Sequence, residues 1–465
     1  MNQDTISCIF ELSYTIIVIG LLCYFILRSQ KLVHTPSKVY RHWILFGALM
    51  NMYSLSWLYT VYPIFWLAPG AAQLVGITLL HCIVFLVTAA PYGVVAFSFT
   101  KKIITDLRPF VFGSLLVISE IARSLIISLI YKGDGTTIGL HFTAGTIGNA
   151  LSTTPLVEFA FFGGTFALTF VLGYLVYAVC SSERRHYLQH YPGILIALTC
   201  LHFFIPITLP PQGTSVGIVT TNFELPKNRK LSRDVYEKNE QILHTMTLSL
   251  RNDSFPPTFI VYPEDTRYTA GLSPKMKTDL LIFFEKTLFV DGNTITSKNG
   301  LSNFSILYSP KREIPLGRGK EFLLPFSEYV PYFFKPFFLF FVGKENLTAY
   351  EDSRSFAPMH QKKTVTFNSI PIATLICSEI LSFSTIEKLR KEKPSIIFFQ
   401  SELRIFHNNP WFIMHLRSFS KITAAQLRTT VISSASGAPS FVISPYGKIL
   451  SFSETGMSTS TYIFK

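Results

Sequence analysis

The sequence has few cysteines and few charged residues for a chain of 465 residues. Five of its six cysteines lie in or beside apolar runs before residue 210, which leaves Cys377 without a partner in the second half. No CxxC pair or Cys/His cluster has the spacing of a zinc site, so we expect no disulfide framework, no metal and no cofactor. The net charge of +13 includes no basic run interleaved with aromatics, which argues against nucleic acid and favours anionic lipid.

The apolar residues are spread unevenly along the chain. Residues 1–210 contain long runs almost free of charge, whereas residues 211–465 carry 30 of the 41 Lys and Arg. This division predicts a transmembrane helical domain at 1–210 and a water-soluble domain at 211–465. About six segments are long and apolar enough to span a bilayer: 8–27, 43–66, 72–100, 109–131, 157–180 and 191–209. The first lacks the basic start and cleavage site of a signal peptide, so we expect it to be retained.

The short loops between these segments predict the orientation. Nine Lys and Arg follow the first, third and fifth segments, and the other side has only Lys132. By the positive-inside rule, residues 211–465 should lie outside the cytoplasm, which is the periplasm in a bacterium. Glu120 and Arg123 share one face of the fourth segment. They are either a structural pair that braces the bundle or one wall of a cavity that admits lipid.

The second half alternates short apolar runs with amphipathic stretches. The pattern predicts strands at 215–222, 259–265, 287–292, 302–309, 373–380, 395–401, 429–436, 440–445 and 460–464. It predicts helices at 232–250, 274–286, 385–392 and 410–427. Strands that alternate with helices and end in further strands favour an α/β sandwich with buried sheets.

Three ionisable residues stand at the ends of predicted apolar runs. Glu264 follows "VYP", Lys320 precedes a run, and Cys377 ends "TLIC". A thiol can attack a carbonyl to give a thioester, a carboxylate can take the thiol proton, and an ammonium can stabilise the oxyanion. A nearby lysine cation is expected to lower the pKa of the thiol. Each residue alone is weak support, but together they have the types that acyl transfer through a cysteine requires.

Three blocks, "YPE" at 262–264, "KEFLLPFSEYVP" at 320–331 and "CSE" at 377–379, resemble the signatures of the carbon–nitrogen hydrolase (nitrilase) superfamily. Their flanks are most similar to those of the bacterial apolipoprotein N-acyltransferases. The resemblance implies an αββα sandwich, with Glu264 as general base, Lys320 as oxyanion stabiliser and Cys377 as nucleophile. Glu328 and Glu379 then match two supporting carboxylates that orient Lys320. The neighbouring Asp265 should point away from Glu264 and is not expected to take part.

The sequence departs from the pattern of that family in several places. Ser378 stands where the family usually has a bulky aromatic residue, and residues 402–407 replace its Asn-Asp-x-Trp-Phe-Gly stretch. The family usually has eight spans, so we expect one fewer at each end here. We expect these differences to affect which lipid the protein prefers and how fast it reacts.

The function implied by the resemblance is transfer of a fatty acyl chain at a bacterial inner membrane. A phospholipid would acylate Cys377, and the N-terminal amine of a diacylglyceryl apolipoprotein would accept the chain; a monomer is expected. Two alternatives remain: a membrane-tethered amidohydrolase that releases the acyl group to water, and a scaffold without catalysis. The aromatic stretch 331–343 either dips into the membrane interface or packs in the core.

Overall fold

The computed structural model describes residues 3–464 except 63–70, 102, 182, 185–186, 188, 190, 224–232, 252–255, 265, 298–299, 312–315, 355, 408 and 454–455. The prediction for Asp265 therefore lies outside the described residues. The N-terminal part is helical, and its helices are α1 (Gln3–Lys31), α2 (Pro36–Ser54), α3 (Ala71–Ala89), α4 (Phe97–Thr100), α5 (Arg108–Ile130), α6 (Gly164–Cys180) and α7 (Tyr191–Phe204). A proline in the first turn begins α2 and α5, where its missing N–H costs no hydrogen bond.

Three stretches of these helices are long and apolar enough to cross a membrane: Ile9–Lys31, Gln73–Thr100 and Arg108–Ile130. Two shorter apolar helices, Gly164–Cys180 and Pro192–Phe204, fall in the fifth and sixth predicted segments. The fifth segment begins with a 3-10 helix, Pro155–Phe162, before α6. The apolar helices are thus compatible with association with a membrane, while the number of spans stays a prediction.

The second half forms two sheets, each with six strands among the described residues. Their order is β12-β1-β2-β3-β4-β5 and β11-β10-β9-β8-β7-β6. Three neighbouring strands are parallel in each sheet, β1 to β3 and β7 to β9, and the remaining pairs are antiparallel. The strands are β1 (Ser215–Thr220), β2 (Phe259–Val261), β3 (Leu288–Ser297), β4 (Gly300–Tyr308), β5 (Leu316–Gly319), β6 (Thr364–Phe367), β7 (Ile370–Ile376), β8 (Ile396–Glu402), β9 (Thr430–Ser436), β10 (Phe441–Ile443), β11 (Ile449–Phe452) and β12 (Ser458–Ile463).

The two sheets pack face to face, with helices on both outer faces. Val261 of the first sheet and Phe398 and Ile432 of the second belong to one buried cluster between the sheets. The helices of this half are α8 (Arg233–Ser249), α9 (Pro274–Phe284), α10 (Lys335–Val342), α11 (Lys344–Arg354), α12 (Phe383–Glu392) and α13 (Pro410–Leu427). Helices α8 and α9 cover the first sheet, and α12 and α13 cover the second. The layers are therefore helix, sheet, sheet, helix, as predicted.

The predicted strands and helices form within a few residues of their expected bounds. The sequence reading missed strands β5, β6 and β11 and helices α10 and α11. All three of these strands are only four residues long, and β5 reads "LGRG", which has little β propensity. They are held by pairing with a neighbouring strand rather than by local preference.

Helix α13 lies between the sandwich and the helical N-terminal part. Its residues Phe412–Gln426 are all buried, and they contribute both to the cluster on the second sheet and to the cluster of the N-terminal helices. Glu11 of α1 accepts hydrogen bonds from Arg417 (2.8 Å) and Lys421 (2.9 Å) of α13. Sequence reading overlooked Glu11, although it lies inside the first predicted segment.

The Glu120–Arg123 pair braces the N-terminal helices. The two charges lie 3.4 Å apart, and neither side chain is exposed. Glu120 also accepts a hydrogen bond from the backbone N–H of Ile147 (2.9 Å), and Arg123 donates to the carbonyl of Ala144 (2.6 Å). These contacts tie the loop after α5 to the helix and favour the structural role over a cavity wall.

Asp291 on β3 makes the stability of the fold depend on pH. Burial raises the pKa of its carboxyl to about 7 from an ordinary 3.8, although hydrogen bonds from Thr269 lower it. The folded state therefore binds this proton more tightly than the unfolded state. Its stabilising contribution is complete below about pH 4, declines as the pH rises toward 7 and is lost above it.

We expect Asp291→Asn to remove this part of the pH dependence. Chemical unfolding of the detergent-solubilised protein between pH 5 and pH 8 should show a smaller loss of stability with rising pH than the wild type. Asp234→Asn on the exposed face of α8 is the matched control and should keep the wild-type slope. An unchanged slope in Asp291→Asn would contradict the prediction.

Candidate active site

The fold brings the ends of two parallel strands together across the sandwich. Glu264 follows β2 by three residues, and Cys377 directly follows β7. Cys377 has a backbone φ of 46° and begins a 3-10 helix, Cys377–Leu381. Positive φ is uncommon for a residue with a Cβ and carries strain, which is often found where a side chain must be presented at a site. The sharp turn sets the thiol at the end of the strand.

Glu264, Lys320 and Glu328 form one buried ionic cluster with the thiol. The ammonium of Lys320 lies 3.3 Å from Glu264 Oε1 and 3.0 Å from Glu328 Oε1. The charges of Glu264, Lys320 and Glu328 all act on the Cys377 thiol. All four side chains are buried. The structure thus brings the three predicted residues and one of the two supporting carboxylates into a single pocket.

Asn303 completes this cluster, and sequence reasoning missed it. Its amide Nδ2 donates to Glu328 Oε1 at 2.6 Å and to Glu264 Oε1 at 3.3 Å, so the same two oxygens that bind Lys320 also bind Asn303. The residue lies in the middle of β4 and is buried. A usable signal was present: Asn303 and Ser305 alternate on one face of a strand whose other buried residues are mostly apolar.

Glu379 does not contact Lys320, contrary to the expected role. Its carboxylate accepts hydrogen bonds from the backbone N–H of Glu321 (2.6 Å) and Ile376 (2.9 Å). It also lies 2.6 Å from the ammonium of Lys363, and both side chains are buried. Glu379 therefore holds the backbone around the cluster, while Glu328 alone of the two supporting carboxylates meets Lys320.

The charges of the cluster determine how the thiol must ionise. Burial alone would lower the pKa of Lys320, but the carboxylates of Glu264 and Glu328 outweigh it and raise the pKa above its ordinary value. Burial and the charge of Glu264 raise the pKa of the Cys377 thiol well above its ordinary value, and Lys320 only partly offsets them. Lys320 does lower the pKa of the thiol, as expected, but burial and the charges of Glu264 and Glu328 outweigh it, so the net shift is upward. The resting thiol is neutral and needs a base to take its proton.

A loop from the helical N-terminal part holds the segment that follows Cys377. Thr143 donates through its hydroxyl to the carbonyl of Leu381 (2.7 Å), and the ring of His141 stacks on Phe322. Burial lowers the pKa of His141 to about 4, so this ring is neutral at pH 7. Ser378 donates to the carbonyl of Phe322 at 2.7 Å. The small residue after Cys377 thus fixes the turn by a hydrogen bond instead of by aromatic packing.

The segment 402–407 follows β8 on the second sheet. Glu402 ends the strand and pairs with Arg404, and Phe406 stacks on Phe412 with ring centroids 3.7 Å apart. Phe406 also contacts Trp57 of the N-terminal part. The segment therefore joins the sandwich to the helices, at a position where the resembling family carries a different sequence.

Solved structures similar to this chain include members of the nitrilase superfamily. Nit3 of Saccharomyces cerevisiae, a member of branch 10 of the nitrilase superfamily, has 12% identity and a TM-score of 0.40, with 54% of this chain and 89% of Nit3 covered. An amidase variant from Nesterenkonia sp. AN1, described with acrylamide added at its active-site cysteine, has 10% identity, a TM-score of 0.37 and coverages of 54% and 93%.

A glutamine-dependent NAD+ synthetase from Acinetobacter baumannii is also similar, with 14% identity, a TM-score of 0.37, and 54% of this chain and 45% of the synthetase covered. No family model matches the sequence, and no curated protein matches it. These three structures share 14% identity or less with this chain, so the functional conclusion depends on the contacts of the cluster itself.

Proposed function

We propose that this protein is a membrane-bound acyltransferase of the carbon–nitrogen hydrolase type. It would move a fatty acyl chain from a phospholipid, through a thioester on Cys377, to the N-terminal amine of a diacylglyceryl apolipoprotein. The observation that supports this most is the buried ion pair of Glu264 with Lys320, whose charges both act on the Cys377 thiol, in a chain whose described residues include three long apolar helices. The substrates come from the resemblance of the sequence blocks.

In the first half-reaction, Glu264 takes the thiol proton as the sulfur attacks the ester carbonyl of the phospholipid. The carbonyl oxygen becomes an oxyanion, which the ammonium of Lys320 stabilises. The carbon–oxygen bond of the ester then breaks, and Glu264 returns the proton to the leaving alcohol, which departs as a lysophospholipid. The net charge of Glu264, Glu328, Lys320 and Cys377 remains −1 during proton transfer, so no further charge has to be buried.

In the second half-reaction, the neutral amine of the lipoprotein attacks the thioester carbonyl. Lys320 again stabilises the oxyanion, and Glu264 accepts a proton from the attacking nitrogen. The carbon–sulfur bond breaks, and the proton passes from Glu264 to the sulfur of Cys377. An amide forms, and the resting thiol is restored. Each half-reaction uses the same base and the same cation.

Helix α10 and the 3-10 turn before it support a lipid donor. Phe333, Leu339 and Phe340 are exposed, and Phe340 is the most exposed of them at 83%. The backbone N–H of Tyr332 donates to the carbonyl of Lys132, just after α5, at 2.9 Å. This aromatic surface therefore lies at the end of an apolar helix, where aromatic side chains favour the membrane interface. Most residues of the stretch 331–343 whose burial is described are exposed, which favours a place at the membrane interface over packing in the core.

The proposed location is the inner membrane of a bacterium, with the sandwich on the periplasmic side and the protein acting as a monomer. The charge asymmetry of the predicted loops supports this orientation. Accessibility of an introduced cysteine at exposed Lys362 to a membrane-impermeant thiol reagent in intact spheroplasts would test it. Labelling only after lysis would contradict the orientation.

The direct test of the function is mass spectrometry of the Cys377 peptide after incubation with phospholipid. We expect a mass increase of one acyl chain, stable in detergent and lost in Cys377→Ser. Addition of a peptide with an N-terminal diacylglyceryl cysteine should then remove the acyl chain from the enzyme and add it to the peptide. Absence of the adduct in folded wild-type protein would contradict the proposal.

The same experiment separates the two alternatives. A tethered amidohydrolase would release free fatty acid rapidly without the lipopeptide, because water would resolve the thioester. A scaffold would form no adduct, and Cys377→Ala would still support growth of a strain that depends on this protein. The burial of all four side chains of the cluster favours transfer over hydrolysis, because it excludes water from the thioester.

A further inference from the structure

We infer that Lys363 is a positioning residue for the candidate active site. Its ammonium donates to Glu379 Oε1 at 2.6 Å and to the backbone carbonyl of Gly319. Lys363 is 3% exposed in its side chain and Glu379 is not exposed at all. Lys363 precedes β6, a strand that sequence reading missed, and it is absent from the blocks that resemble the nitrilase superfamily.

The pair fixes the backbone on both sides of Lys320. Lys363 binds the carbonyl of Gly319, the residue before Lys320, and Glu379 binds the N–H of Glu321, the residue after it. Two further backbone hydrogen bonds hold Lys320 itself, from its N–H to Asn303 (2.7 Å) and to its carbonyl from Met359 (2.8 Å). The backbone at Lys320 is thus held by four hydrogen bonds, two of which depend on the Lys363–Glu379 pair.

The same pair fixes the backbone that carries the thiol. Glu379 Oε2 accepts the N–H of Ile376, directly before Cys377, at 2.9 Å. One carboxylate therefore joins the peptide next to Cys377 to the peptide next to Lys320. Lys363 balances the charge of that carboxylate, because a buried ion is stable only when paired. The cluster needs its groups within hydrogen-bond reach, so a small displacement at either peptide lowers its reactivity strongly.

The test measures the reactivity of the thiol without any lipid, so it does not rest on the proposed acyl transfer. Iodoacetamide alkylates Cys377 at a rate that depends on proton removal by Glu264, and peptide mass spectrometry distinguishes Cys377 from the other cysteines. We expect Lys363→Met to lower this rate by roughly tenfold or more across pH 6 to 9, since the base no longer meets the thiol correctly. Lys363→Arg, which keeps a charged donor, should restore part of the rate.

Lys362→Met is the matched control, because Lys362 is the exposed neighbour, and it should react as the wild type does. A purely structural role predicts the opposite sign: a loosened fold would expose the buried thiol and raise the rate. A folded Lys363→Met that reacts at the wild-type rate or faster overturns the inference. So does a wild-type Cys377 that does not react at any pH.

The double variant Lys363→Met/Glu379→Gln covers the case in which the single variant does not fold. It leaves no unpaired buried charge, yet the carbonyl of Gly319 still lacks its donor, so a reduced rate is expected. A wild-type rate in the double variant would overturn the inference. If the wild type reacts with iodoacetamide but is never acylated by phospholipid, the proposed function fails while the positioning role of Lys363 stands.

Discussion

Glu264→Gln is expected to lower the rate of Cys377 acylation by roughly 10²- to 10⁴-fold, the range associated with loss of a general base. The substitution keeps the size of the side chain but removes the proton acceptor. Because burial and the charge of Glu264 raise the pKa of the thiol well above its ordinary value, almost no thiolate is present at neutral pH without a base. The measurement is the rate of acyl-adduct formation by mass spectrometry.

The pH profile should change together with the rate. In the variant the charge of Glu264 no longer opposes ionisation of the thiol, so residual activity should rise steadily with pH as hydroxide replaces the base. Glu237→Gln, an exposed substitution on α8, is the control and should leave both rate and profile unchanged. A variant within tenfold of the wild type at pH 7 would mean that another group takes the proton.

The three central residues could be singled out because each stands at the end of an apolar run, and the ends of strands in α/β folds are where sites collect. Glu264 and Cys377, which are 113 positions apart, follow β2 and β7 of different sheets, and Lys320 follows β5, a strand that the pattern did not predict. The three sequence blocks that resemble the nitrilase superfamily independently group the same three residues. The sequence does not show how deeply the thiol is buried: burial, together with the charges of Glu264 and Glu328, outweighs the lowering effect of Lys320 and raises the pKa of Cys377.

The missed residues share a different property, because their partners are distant and their own surroundings look ordinary. Asn303 is one polar residue in an otherwise plausible strand, and Lys363 precedes a strand of only four residues. Glu11 is one charged residue in an apolar run, and nothing near it in the sequence indicates its partners. Each is recognised only from the group it meets, at separations of up to 410 positions for Glu11 and Lys421.

We expect the loss of Glu11 to destabilise the protein strongly, because its carboxylate joins α1 to α13. Its carboxylate is buried and pairs with both Arg417 and Lys421, which are themselves buried in α13. In Glu11→Gln both cations lose a buried charged partner. Removing one member of a buried pair costs about 3–5 kcal/mol. Chemical unfolding in detergent, followed by circular dichroism, should show a loss of this size.

The pair Arg108–Glu183 provides the matched comparison, because it is also in the N-terminal part but lies at the surface, with its charges 3.9 Å apart and each side chain more than a third exposed. Glu183→Gln should cost less than about 1 kcal/mol, as is usual for exposed pairs. The triple variant Glu11→Leu/Arg417→Met/Lys421→Met removes every charge of the buried group and should recover much of the lost stability.

Helix α13 covers the second sheet and also packs on the N-terminal helices. Weakening the contact between α13 and α1 should therefore affect two reactions of Cys377, alkylation and acylation, unequally. Alkylation of Cys377 by a small reagent depends mainly on the ionic cluster within the sandwich, whereas acylation by a phospholipid also requires the sandwich to sit correctly against the apolar helices. We therefore expect Glu11→Gln to lose acylation more severely than alkylation. Equal losses in both would show that the contact supports the fold of the sandwich and not its placement at the lipid.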